Sequence, residues 1–111
     1  MSEQKSLVSK AFQTFLAKAP AQAQAWGTLV QSLSQASVLD AKTGALAYLA
    51  VLAALNRTSG IPVHVQGAKR AGASREEVIS AILVGLPAAG HVVTQALPVA
   101  IKAYDAELPS G

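Results

Sequence analysis

The chain of 111 residues contains no cysteine. That absence excludes disulfides, thiol-based peroxide reduction and thiolate metal sites together. Charge is also scarce: 14% of the residues are Asp, Glu, Lys or Arg, and the formal net charge is +3. The basic residues are dispersed, with Lys69 and Arg70 the only adjacent pair. Without a basic stripe interleaved with aromatics, nucleic acid is not an expected partner. Histidine occurs only at His64 and His91, which do not form a metal site by their spacing. No Ser-His-Asp pattern, phosphate loop or cofactor fingerprint is present, so no cofactor and no metal are expected. The opening MSEQKSLVSK lacks the apolar centre of a signal peptide. The longest apolar run, residues 45–55, is too short to cross a hydrocarbon layer of ~30 Å. A cytoplasmic location with no membrane partner is the expectation.

What the chain does have is apolar residues, 51% of the total, many of them alanine. Alanine has the best helix propensity and lets helices approach closely. No stretch alternates like a half-buried strand. These features predict one all-α domain over residues 1–111, with about six helices. A domain this small hides only about two-thirds of the surface its unfolded chain exposes. The apolar surplus therefore predicts a subunit interface and a homo-oligomer.

Periodicity and caps divide the chain. Residues 3–18 predict a first amphipathic helix with Leu7, Val8, Phe12, Phe15 and Leu16 on one stripe, ended by Pro20. A second covers about 21–35, with Trp26, Leu29, Val30 and Leu33 on one face and glutamines opposite. Trp26 and Phe12 read as core or interface residues. Asp40 predicts the N-cap of a third helix over 41–56, apolar nearly all round and so expected to be central and buried. A fourth carries Pro62 in its first turn and stops at Gly72. Ser74 and Glu77 form a capping box for a fifth. Gly85, Pro87 and Gly90 interrupt it, and a last helix over 91–107 is expected to bend near Pro98. The tail, residues 108–111, is expected to be loose.

Residues 40–85, DAKTGALAYLAVLAALNRTSGIPVHVQGAKRAGASREEVISAILVG, carry a resemblance. A lysine-led apolar helix, a short break, a histidine-bearing helix, a capped turn and another apolar helix follow in order. This resembles the carboxymuconolactone decarboxylase and alkylhydroperoxidase D-like family, of which this would be a cysteine-less member. The resemblance implies an all-α alkylhydroperoxidase D-like fold, assembled as trimers or hexamers with sites at or near subunit contacts. It also implies two chemistries. The peroxidase branch joins the histidine to a glutamate and a C-x-x-C pair; those positions fall on Ala45, Arg57 and Gly60 here. No dithiol peroxidase activity is therefore expected. The decarboxylase branch acts on a small carboxylated lactone without cysteines. His64 matches its histidine, while Ala45 again stands where that branch has a glutamate.

His64 shares one side of the fourth helix with Ile61, Val65, Ala68 and Gly72, so it should point inward or along a boundary. It is the candidate general acid/base, with a buried structural imidazole as the plain alternative. Three residues are candidates for substrate binding. Arg57 can bind a carboxylate or cap the third helix. Tyr48 can line a pocket beside the fourth helix, and its hydroxyl is expected to find a hydrogen-bond partner. His91, after Gly90, can sit over exposed backbone N–H groups or simply at a surface turn. Two functions remain open: a decarboxylase-like lyase on a small carboxylate or lactone, and a catalytically degenerate binding or structural oligomer.

Overall fold

The computed structural model describes residues 8–106, and among them every regular element is helical. Seven α-helices follow in order: α1 (Lys10–Lys18), α2 (Pro20–Ala36), α3 (Ala41–Ala54), α4 (Ile61–Arg70), α5 (Arg75–Leu83), α6 (Leu86–Ala89) and α7 (Leu97–Asp105). Two 3₁₀ segments, Thr58–Gly60 and Gly90–Ala96, sit before α4 and α7. The predicted all-α class holds. Leu7, Glu107 and the tail lie outside the described residues.

Local chemistry sets the boundaries. Ser9 caps α1 by accepting from the Phe12 N–H, and Asp40 caps α3 by accepting from the Thr43 N–H. The capping box before α5 is complete: Glu77 N–H donates to Ser74 Oγ at 3.0 Å, and Ser74 N–H donates to Glu77 Oε1 at 2.9 Å. Helices α3 and α4 end in the same way, on a residue with positive φ. Asn56 (φ 58) and Gly72 (φ 101) each turn the chain. The next residue then bonds back across the last turn, Arg57 N–H to Leu52 O and Ala73 N–H to Ala68 O. This closes orphan carbonyls within the backbone itself.

The expected helix over 91–107 is instead two pieces. Pro98 has no N–H to give the Thr94 carbonyl, and the Leu97 N–H donates to it one residue early. The turn tightens to 3₁₀, and α7 starts afresh with Pro98 in its first turn. The longer stretch Arg75–Asp105 is long and apolar enough, by length and composition, to cross a membrane. Yet Gly90 (φ 81, ψ −168) breaks it, and Val78, Ile82, Val93, Ala96 and Ala100 along it are buried in the core.

That core is one cluster. Leu49 and Ala53 of α3 meet Ile61, Val65 and Ala68 of α4, and Val78 and Ile82 of α5. Val93, Ala96, Ala100 and Ala103 close it from the C-terminal side. Small side chains dominate, so the helices can lie close together. The end of α7 is held by groups from α4 and the α4–α5 turn. Gln66, buried, donates its amide to the Ala103 carbonyl, and Lys69 Nζ donates to Tyr104 O at 2.8 Å. These are terminal carbonyls that α7 cannot satisfy itself. Tyr104 returns a bond from its hydroxyl to Ala73 O at 2.8 Å, and Lys69 lies 4.8 Å above its ring. Arg75 grips both oxygens of Asp105, at 2.9 and 3.1 Å.

Two corrections concern α3 and α4. Helix α3 is not buried all round: Tyr48 and Val51 face outward, as does Leu55 at its C-cap. In α4, buried Gln66 lies off the expected apolar stripe because α7 packs on that flank.

Truncating Leu49 or Ile82 to Ala should cost about 2–5 kcal/mol, read as a shift in a urea unfolding midpoint. Gln66→Ala should cost about 1–3 kcal/mol, since it leaves a carbonyl of α7 unsatisfied. Acid should also destabilise the fold. Backbone and side-chain hydrogen bonds hold the Asp40, Glu77 and Asp105 carboxyls below their ordinary values of 3.8, 4.5 and 3.8. Depressed carboxyls stabilise above those ordinary values and lose that contribution as pH falls through the lowered ones. Melting temperature measured against pH should therefore begin to drop below about pH 4.5.

Candidate functional site

The site is built from two neighbouring helices and the break between them. Helix α3 must present some residues outward, because α4, α5 and the Gly90–Ala96 segment cover only its other side. Tyr48 falls on the outward side and is 47% exposed. His64 comes one turn into α4, beside buried Ile61 and Val65 but turned to the surface. The two rings meet with centroids 4.5 Å apart, tilted at 50°. His64 therefore sits on a boundary, on the outer side of the range its spacing allowed.

Its environment is apolar enough to matter. Burial of part of the ring pushes the His64 imidazole below its ordinary value of 6.5, and no charged neighbour offsets this. At neutral pH it is an uncharged base. Neither of its nitrogens has a hydrogen-bond partner among the described residues. An imidazole in that state can accept a proton or hydrogen bond at one nitrogen and donate from the other. The Tyr48 hydroxyl likewise makes no hydrogen bond among the described residues, contrary to expectation; its ring instead packs on His64.

The other sequence candidates lie apart from this pair. Arg57 is exposed on the break, at the entry to the Thr58–Gly60 turn. Its side chain does not cap α3; its backbone N–H does, through Leu52 O at 2.8 Å. The guanidinium has no partner among the described residues. His91 is exposed on the second 3₁₀ segment, where its carbonyl accepts from the Thr94 hydroxyl at 2.7 Å. No hydrogen bond or ring contact joins either residue to Tyr48 or His64. Asp40 and Glu77 serve as caps, and Glu77 also pairs with Lys42 at 3.1 Å. Nothing in the local sequence announced that Lys42–Glu77 link, which ties the starts of α3 and α5.

Two surface hollows of about 500 Å³ each lie elsewhere. One is an apolar groove between α3 and α5, floored by Leu46, Ala50 and Ala81 with Glu76 at its edge. The other, near the starts of α4 and α7, mixes polar Thr58, Ser59 and Gln95 with apolar Pro62, Pro98 and Val99. Neither contains His64 or Tyr48. The Tyr48–His64 pair and these two hollows do not coincide; a titratable group with a physical reason for its shift marks a candidate site. Among the described residues no group of three or more His, Asp or Glu side chains gathers.

The His64 proton signals should titrate with a midpoint below 6.5, and Tyr48→Ala should move that midpoint upward by uncovering the ring. A His64 midpoint unchanged by loss of Tyr48 would show that the tyrosine does not shield it. The sign for stability follows. Folding favours the neutral imidazole, so its contribution is present above pH 6.5 and is lost as pH falls through the lowered value.

The histidine-bearing helix, the break before it and the apolar helix ahead of the break are the parts on which the resemblance rested. No curated protein matches the chain. A family model described as the carboxymuconolactone decarboxylase family matches residues 20–102, from the start of α2 to the last turns of α7. That match spans most of the chain, and the protein belongs to the carboxymuconolactone decarboxylase family.

Proposed function

We propose that this chain acts on a small carboxylated or lactone substrate at the Tyr48–His64 edge, with His64 as general acid/base. The observation that carries the reading is the imidazole itself. It is neutral by partial burial, without a hydrogen-bond partner among the described residues, and set against an aromatic ring. General acid–base catalysis needs a side chain that can take up and give back a proton within reach of the substrate, and histidine is the one most often used. When a C–C bond to a carboxylate breaks, carbon dioxide leaves and the electron pair stays on carbon. That carbon, or the enolate it forms, must then gain a proton. A neutral imidazole can take a proton from the substrate or solvent and return it to that position.

Arg57 supplies the second element. It is an exposed guanidinium without a partner among the described residues, on the connection that leads directly into α4. A planar guanidinium binds a carboxylate through two parallel hydrogen bonds. Tyr48 gives the substrate an apolar wall and a hydroxyl. His91 has no contact with the pair, so the reading gives it no step. No cofactor enters this scheme.

The degenerate-scaffold reading keeps one specific observation in its favour. Ala45 packs against the core with only a methyl group, at the position where the resemblance would place a carboxylate. Under that reading the same edge binds small molecules without turning them over.

Screening small carboxylates and lactones for turnover separates the two. His64→Ala should lower kcat/KM by about 100- to 10,000-fold. The rate should fall as pH drops through the lowered His64 value, because the base form does the work. Arg57→Ala should chiefly raise KM. Full activity of His64→Ala on a turned-over substrate would sink the catalytic reading, while ligand-dependent His64 shifts without turnover would favour the scaffold.

A further inference from the structure

Helices α3 and α4 pair as an antiparallel hairpin that turns at Asn56. Tyr48 stands against His64, and one turn nearer the closed end Leu52 comes within 3.6 Å of where a Cβ on Gly60 would lie. Arg57 sits at the closed end itself, just past Leu55. The outer face of α3 leads from Arg57 to the ring pair. Tyr48, Val51 and Leu55, the last at the C-cap, fall three and four residues apart on one side and are 47%, 52% and 62% exposed. From Tyr48 to Leu55 this apolar strip is about 10.5 Å long.

Charge is confined to one end of it. Between Thr43 and Ala68 the only Asp, Glu, Lys or Arg is Arg57. Its guanidinium is exposed and makes no ion pair or hydrogen bond among the described residues. The nearest charges along the chain are committed elsewhere, Lys42 to Glu77 and Lys69 to Tyr104 O. Neither helix carries an acidic residue. The complement of such a surface is one anionic group joined to an apolar body. The anion meets the guanidinium, and the body covers side chains that water now touches. A second anionic group would be pressed against the strip, losing water with no cation to face it.

We propose that the α3–α4 edge binds singly charged amphipathic carboxylates, with the carboxylate on Arg57 and the apolar body along Leu55, Val51 and Tyr48 toward His64. The location rests on the ligand reading above, which is thereby narrowed to ligands with one negative charge. The inference concerns binding alone and assigns His64 no step. It makes Val51 and Leu55 specificity-determining residues, although neither side chain has a polar atom.

Titrations of the full chain, followed through amide and His64 ring signals by NMR, test this with four probes. The first, ω-phenylbutanoate, has both features. Butanoate lacks the body, ω-phenylbutanol lacks the charge, and ω-phenylbutanoate with a second carboxylate on its ring has one charge too many. The first should bind about tenfold or more tightly than each of the others, from the apolar area covered and the charge-assisted hydrogen bonds. Arg57→Gln should remove the preference over the alcohol, while Arg57→Lys keeps part of it. The double variant Val51→Ser/Leu55→Ser should bring ω-phenylbutanoate down to the level of butanoate. Butanoate binding and helical circular dichroism should not change, since both side chains are exposed. Equal binding of the single and double carboxylates would overturn the proposal. So would a ranking untouched by the Arg57 and strip variants, or no binding of any probe. Strip variants that alter sedimentation but not the ranking would also overturn it, because another copy of the chain then covers the face. Ranked binding with no carboxylate or lactone turned over would sink the catalytic reading and leave this one standing. Turnover of compact dicarboxylates, unaffected by the strip variants, would do the reverse.

Discussion

The structure depends on how α3 is shared between core and surface. Leu49 and Ala53 are buried against α4 and α5, each large buried side chain contributing about 1.5–3 kcal/mol. That packing fixes the rotation of α3 about its axis. Once it is fixed, Tyr48 must point outward on the side of α4, where His64 arrives. The ring pair is thus a by-product of core packing: two residues sixteen apart in sequence meet because their helices bury other side chains. A substitution that rotated α3 would separate the rings without touching either.

The polar contacts work differently. They sit at helix ends, where backbone groups lack partners, and they join elements that the core alone would only press together. Lys69, Gln66 and Arg75 converge on the last turn of α7, while Glu77 serves its own helix as a cap and α3 as an ion-pair partner. The exposed ion pairs add little by themselves. Their value is geometric: Arg75–Asp105 fixes where α7 ends relative to the α4–α5 turn, and Lys42–Glu77 ties the starts of α3 and α5.

Much of this was legible in the residues. Asp40, Ser74 with Glu77, Gly72 and Pro62 announced helix ends because capping chemistry is local. From its neighbours' spacing His64 could be placed inward or on a boundary, and the structure puts it on the outer side of that range. The outward face of α3 could not be read, because a helix apolar all round carries no phase to say which side faces the core. Gln66 gave no signal either: its burial depends on α7, over thirty residues away. Pro98 announced a bend but not the tightened turn before it, which follows from how Thr94 and Leu97 pair. The family could be read from ordered motifs over residues 40–85, and the match extends to 20–102.

The break between α3 and α4 is shaped almost wholly by the main chain. Asn56 bonds to Ala53, Arg57 to Leu52 and Gly60 to Arg57, all through backbone groups. Side chains at 57, 58 and 59 are not what holds the turn together. Such a frame is chemically interchangeable: the residue at 57 can be a cation, a thiol or something neutral while the path of the chain stays the same. The side chains carried on this break can therefore be exchanged one at a time, at little cost to folding.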